Sequence, residues 1–361
     1  MKSLARKSIL RIKSYQPGKP AEEVRRELGL KKVYKMASNE SPFGPSKKVL
    51  SAITSATKTL NRYPDGSCFY LRRKLAKKLK VKEEQLIFGN GSDEIIVFAA
   101  RAFLEPGDEI IIADKTFLIY EIAGQACAAK IVKIRMKDFR YDLKAMKQAI
   151  TKKTKIVFIA NPDNPNGTYV TDAEVKEFFR GLRNDLIVYF DEAYFEIFDK
   201  KNFPNTMKLL QQGRNIIITR TFSKAYSLAG LRIGYGISSL AIISLLNRVR
   251  EPFNVNSIAQ AAALASLSDA TQLRKTKKAI RAGKQYLYSQ FGKMGLRYVD
   301  SCTNFVLVDV KKNSTLVFRK LLGQGIIVRD MKAWGLNTFI RVTVSTMKEN
   351  RAFIAALRRI V

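Results

Sequence analysis

The chain has 361 residues, 46% of them hydrophobic, with 65 Lys and Arg against 31 Asp and Glu, a formal charge of +34. That length is too great for one small core and suits two domains. The absence of histidine excludes His-based triads and His metal ligands, so no metal site is expected and any general base must be Lys, Tyr, Cys or a carboxylate.

Short apolar runs alternate with helical patterns, as a mainly parallel α/β sheet requires. Strands are predicted at 85–89 (QLIFG), 109–113 (EIIIA), 130–134 (KIVKI), 155–160 (KIVFIA), 186–190 (LIVYF), 215–219 (NIIIT) and 232–236 (RIGYG). Helices are predicted over 93–104, 143–150 and 171–181, the last opened by a Thr171–Glu174 capping box. After about residue 241 the pattern changes. One long helical region covers 258–291, and a smaller α+β segment follows. Its strands fall near 298 and at 304–310, 325–328 and 339–344, with a closing helix from 348. The expected layout is a large domain at 30–245, a small domain at 246–361, and an arm at 1–29 that joins the small domain.

No apolar run is long enough to span a bilayer, and the basic N-terminus has no apolar core of a signal peptide. Cys68, Cys127 and Cys302 are far apart and form no CxxC motif, which fits a reduced, cytoplasmic compartment. The basic residues are scattered from Lys2 to Arg359, so no specific nucleic-acid partner and no membrane partner is expected. Such a surface can still draw in anionic substrates.

Chemistry concentrates in 220–236 (RTFSKAYSLAGLRIGYG). Lys224 can condense with an aldehyde, while the Ser223 hydroxyl and the Arg232 fork can hold a phosphate. Pyridoxal 5'-phosphate is such a cofactor, and it needs an acid beside its ring nitrogen. Asp191, in 187–198 (IVYFDEAYFEIF), ends an apolar run and offers one. On these motifs the chain resembles the fold-type I pyridoxal-phosphate-dependent aminotransferases, and within them the histidinol-phosphate aminotransferases. The likeness runs through nearly the whole chain.

The resemblance implies the following roles. Gly91, Ser92 and Asp93 contact the cofactor phosphate at a helix start, although alone such a turn is usually just an N-cap. Thr221, Ser223 and Arg232 complete the phosphate cup. Phe117, otherwise an ordinary core residue, stacks on the ring; Lys115 stands where proline is more frequent. Asn164 and Tyr194 share the phenolic oxygen. Asn164 lies in 161–167 (NPDNPNG), where the family pattern NPNNPTG is varied at Asp163 and Asn166. Asp191 pairs with the ring nitrogen. Lys224 holds the cofactor and moves the substrate proton, its pKa lowered by burial and nearby cations. Ser227 replaces a frequent glycine.

For the substrate, Arg329 and Arg341 align with an arginine pair that binds a phosphate, and Tyr15 and Asn39 line the same pocket. Tyr63 reaches across to the neighbouring subunit's cofactor, which implies a homodimer. The implied reaction moves an amino group between L-histidinol phosphate and 2-oxoglutarate, giving imidazole-acetol phosphate and L-glutamate, in histidine biosynthesis. Glu40, Tyr15 and the arginine pair favour that substrate. An aromatic amino acid aminotransferase, a threonine-phosphate decarboxylase and a non-catalytic regulator or nucleic-acid binder on the same fold stay open.

Overall fold

A computed structural model describes residues 4–14 and 18–361. Seven strands form one sheet, in spatial order Leu86–Gly89, Gly234–Ile237, Ile216–Thr221, Ile187–Asp191, Thr154–Ala160, Glu109–Ala113 and Lys130–Ile134. All neighbours are parallel except those of Gly234–Ile237, which runs antiparallel to both of its partners. The inner strands are near-continuous Ile, Val and Phe because both faces of the sheet are covered. Lys130–Ile134, at the edge, instead exposes Lys130 and Lys133, which discourages further pairing.

Each predicted sheet strand is found within two residues at either end. The Thr171–Glu174 capping box opens the helix Asp172–Phe179 as expected. The long helical region is two helices, Ser257–Ser266 and Ala270–Lys293. Asp269 breaks it, because its side chain caps the Gln272 N–H and starts the second helix afresh. The strand expected near 298 is reduced to an isolated bridge between Tyr298 and Val308.

The sheet and its helices enclose the larger hydrophobic cluster, from Val49 to Ala263. A second cluster, built on Phe291, Val306, Val342 and Phe353, packs under a three-stranded antiparallel sheet. That sheet runs Arg329–Asp330, Phe339–Thr343, Phe305–Asp309. Tyr34–Lys35 pairs in parallel with Ile326–Ile327, and the Thr343 N–H donates to Met36 O. These bonds tie the chain beside the smaller sheet just before residues 37–40 enter the space between the two clusters. Among the described residues no helix is long and apolar enough to cross a membrane.

Candidate active site

Four parallel strands end on one side of the large sheet, at Ala113, Ala160, Asp191 and Thr221. The loops that follow them meet the smaller sheet around a cavity of about 340 Å³. Ligands of open α/β sheets bind at this carboxyl end. Ser92, Asp93, Phe117, Asn164, Asp191, Tyr194, Thr221, Ser223, Lys224, Arg232, Asn39, Arg329 and Arg341 all line the cavity. Gly91 adjoins it.

The end of the cavity beside Gly91 is assembled by close backbone approach. Gly91 caps the helix Ser92–Phe103 at φ 86°, a conformation that disfavours side chains, and a Cβ there would lie 2.5 Å from a terminal nitrogen of Arg232. A Cβ on Gly234 would meet the Ser92 backbone nitrogen at 2.5 Å. The antiparallel strand therefore presses on the helix start, bringing Arg232 to its unpaired N–H groups. Thr221 Oγ1 donates to Ser223 Oγ at 3.0 Å and accepts from the Ser223 N–H at 3.1 Å, which fixes both hydroxyls in the same corner. An anion is favoured at a helix start flanked by a guanidinium.

Asp191 is the last residue of its strand. It accepts from the Tyr120 hydroxyl at 2.7 Å and from the Ala193 N–H at 3.1 Å, both neutral donors. Burial pushes its carboxyl up to about 6. A cationic ring nitrogen beside it would supply the missing counter-charge, so the site fits a pyridinium.

Lys224 points its amine at Ser38 O, 3.2 Å away. Burial, and after it the Arg341 charge, lowers its pKa to about 8, although Asp93 and Glu40 oppose the shift. The amine can therefore shed and regain its proton near neutral pH.

Asn39, at φ 56°, donates from Nδ2 to the Tyr194 hydroxyl at 2.9 Å, and its backbone N–H donates to Thr343 Oγ1 at 2.9 Å. Arg341 donates to Asn164 Oδ1, and at 2.8 Å to Ala37 O. With its amide oxygen held by Arg341, Asn164 is left to offer its NH₂ group. Arg329 and Arg341 are direct cross-strand partners, so they stand on one face of the smaller sheet. Ser227 has φ 63°, which accounts for the glycine frequent at that place.

Tyr63, expected at the neighbouring subunit's cofactor, does not line this cavity. Tyr63 is 83% exposed and stacks on Phe253 with ring centroids 4.8 Å apart. Tyr15 lies outside the described residues. Three site groups went unread in the sequence: Tyr120, the Ser38 carbonyl and Trp334. Tyr120 had a weak signal, one helical turn beyond Phe117. The other two depend on contacts between remote segments.

The model of the family described as aminotransferase class I and II matches residues 31–357. A histidinol-phosphate aminotransferase of Moorella thermoacetica is 49% identical over 99% of this chain and 92% of its own length. One from Brevibacillus brevis is 45% identical over 98% of this chain and 97% of its own. A histidinol-phosphate aminotransferase of Sinorhizobium meliloti, solved in complex with pyridoxal-5'-phosphate, matches at a TM-score of 0.90 and 28% identity over 98% of both chains. Thermus thermophilus aspartate aminotransferase with maleate shares the fold at a TM-score of 0.84 and 22% identity, over 95% of this chain and 97% of its own.

Proposed function

The chain belongs to the class I and II aminotransferases, and from that premise we propose that it exchanges an amino group between L-histidinol phosphate and 2-oxoglutarate in histidine biosynthesis. It is a pyridoxal-phosphate-dependent enzyme of fold type I. The observation that carries the substrate reading is the facing pair Arg329 and Arg341, which lines the same cavity as Lys224 and Asp191. Two guanidinium forks suit a phosphate dianion. The named relatives support the same reading.

When bound, the cofactor supplies the aldehyde that accepts the amino group and a ring that withdraws electrons from the substrate Cα. Asp191 keeps a proton on the ring nitrogen by presenting a buried carboxylate to it. Ser92, Ser223, Thr221 and Arg232 hold the cofactor phosphate. Asn164 and Tyr194 hold the phenolic oxygen, and Phe117 covers the ring. Lys224 Nζ holds the cofactor at rest and carries the Cα proton during transfer, a role that suits an amine whose pKa is near 8. Arg341 and Arg329 receive the substrate's far phosphate, with Asn39 beside them.

The enzyme works as a cytoplasmic homodimer in this reading, each Tyr63 serving the neighbouring cofactor. Exposed Leu60, Tyr63, Phe69, Tyr70 and Phe253 support a contact surface there. The decisive test is single turnover of cofactor-loaded protein, followed by the visible absorbance of the cofactor. Conversion with L-histidinol phosphate and not with L-phenylalanine is expected. Conversion with phenylalanine alone would replace the substrate and keep the reaction class.

A further inference from the structure

The chain contains a single tryptophan, and it lines the cavity. Trp334 ends the short turn Lys332–Trp334 and is 7% exposed. Its ring packs with Leu307, Met331 and Leu336. Its indole N–H donates to Thr116 O at 2.8 Å, across from the smaller sheet to the loop that precedes Phe117. Thr116 is itself held, donating from Oγ1 to Asp163 Oδ1 at 2.8 Å. The ring is thus fixed at one end by packing and at the other by a bond to a braced carbonyl. The Arg329 guanidinium carbon lies 5.4 Å from the ring centroid.

Arg329 and Arg341 carry like charges at directly paired positions, an arrangement that repels. Arg341 is anchored to Asn164 and Ala37 O. The electron-rich indole attracts the other guanidinium, and tryptophan does so best among the aromatic side chains. We propose that Trp334 is a positioning residue which holds the Arg329 guanidinium in place for the phosphate of the substrate, and so contributes to preference for phosphorylated over unphosphorylated amines. This rests on the reading of Arg329 and Arg341 as the phosphate clamp.

The test compares cofactor-loaded parent, Trp334→Leu, Trp334→Phe and Arg329→Met, each assayed with L-histidinol phosphate and with L-histidinol. The readout is the ratio of the two kcat/KM values. Trp334→Leu is expected to lower that ratio about tenfold, mainly through KM for the phosphorylated substrate, with a clearly smaller loss on L-histidinol. Trp334→Phe, which keeps a ring and loses the N–H, should fall between. A parallel loss with both substrates would reduce Trp334 to a core residue and overturn the proposal. A ratio lowered by Arg329→Met and untouched by both Trp334 variants would also sink it, with the phosphate clamp intact. A ratio unmoved by Arg329→Met would remove the clamp reading and the proposal together. If Trp334→Leu does not fold, the parent still decides. Titration of the holoenzyme with inorganic phosphate should change its tryptophan fluorescence and inhibit turnover over the same concentrations, and no fluorescence change at inhibitory phosphate would count against the proposal.

Discussion

Tyr120 donates a hydrogen bond from its hydroxyl to Asp191, and that bond favours the charged carboxylate over the neutral acid. Burial pulls the other way and wins, leaving the carboxyl near 6. Removing the bond lets the carboxyl take up its proton at still higher pH. In the cofactor-free protein, Tyr120→Phe is therefore expected to raise the pH at which Asp191 loses its proton by about one unit, read by carboxyl NMR titration; a titration that stays put would show that Tyr120 does not set this acid. At the other end of the cofactor, Gly91→Ala forces a side chain into a left-handed backbone and against the Arg232 guanidinium. The guanidinium can swing aside, so the fold should survive while cofactor affinity falls at least about tenfold, the equivalent of 1.4 kcal/mol. A spectrophotometric titration with the cofactor reads this directly, and unchanged affinity would take Arg232 out of the phosphate cup.

The loop 161–167 shows what a sequence reveals of an element and what it hides. The strand before it, Asn164 within it and the variant residues Asp163 and Asn166 are all visible as letters. Their energetics are not. Asp163 is fully buried and accepts from Thr116 Oγ1 and from both the N–H and the Nδ2 of Asn166, the last at 2.6 Å. Burial nevertheless pushes its carboxyl up to about 7. Between about pH 4 and 7 the folded chain thus keeps a proton that the unfolded chain releases, so this group's contribution to stability falls as pH rises through that window. Asp163→Asn removes the slope. From pH 5 to pH 8 the variant should gain on the order of 2 kcal/mol relative to the parent in denaturant midpoints; parallel curves would show that Asp163 titrates normally. The same limit explains the rest of the site. Lys224, Asp191 and Arg232 announce themselves by local spacing, as does the sheet by its apolar runs. Trp334 and the Ser38 carbonyl acquire their places only through pairing of segments hundreds of residues apart, which no local pattern encodes. The helix break at Asp269 was legible in principle as a cap, but the apolar periodicity on both sides masked it.

At the scale of the whole molecule, the charge of +34 bears on capture of the substrate. A doubly charged phosphate approaching this surface is drawn in from beyond the cavity, and added salt screens the attraction. The kcat/KM for L-histidinol phosphate should fall several-fold between about 0.02 and 0.2 M salt, and that for L-histidinol should not. Equal salt responses would confine the effect to the protein itself. The exposed Tyr63–Phe253 stack belongs to this scale too. Under the dimer reading, Phe253→Glu should yield monomers by sedimentation with activity lost in step, whereas an active monomer would leave Tyr63 no role at a neighbour's cofactor.

The antiparallel strand Gly234–Ile237 sits between the first and the sixth strands of the large sheet in chain order, and only there does Arg232 meet the helix start at Ser92. During synthesis on the ribosome, then, the first hundred residues emerge with half a cup, and some 140 more must follow before the other half can close against it. A nascent chain that stops short of this strand lacks the complete phosphate cup. In the proposed reading, full affinity for the cofactor is thereby tied to completion of the large sheet, and Arg329 and Arg341 are contributed by chain still further along.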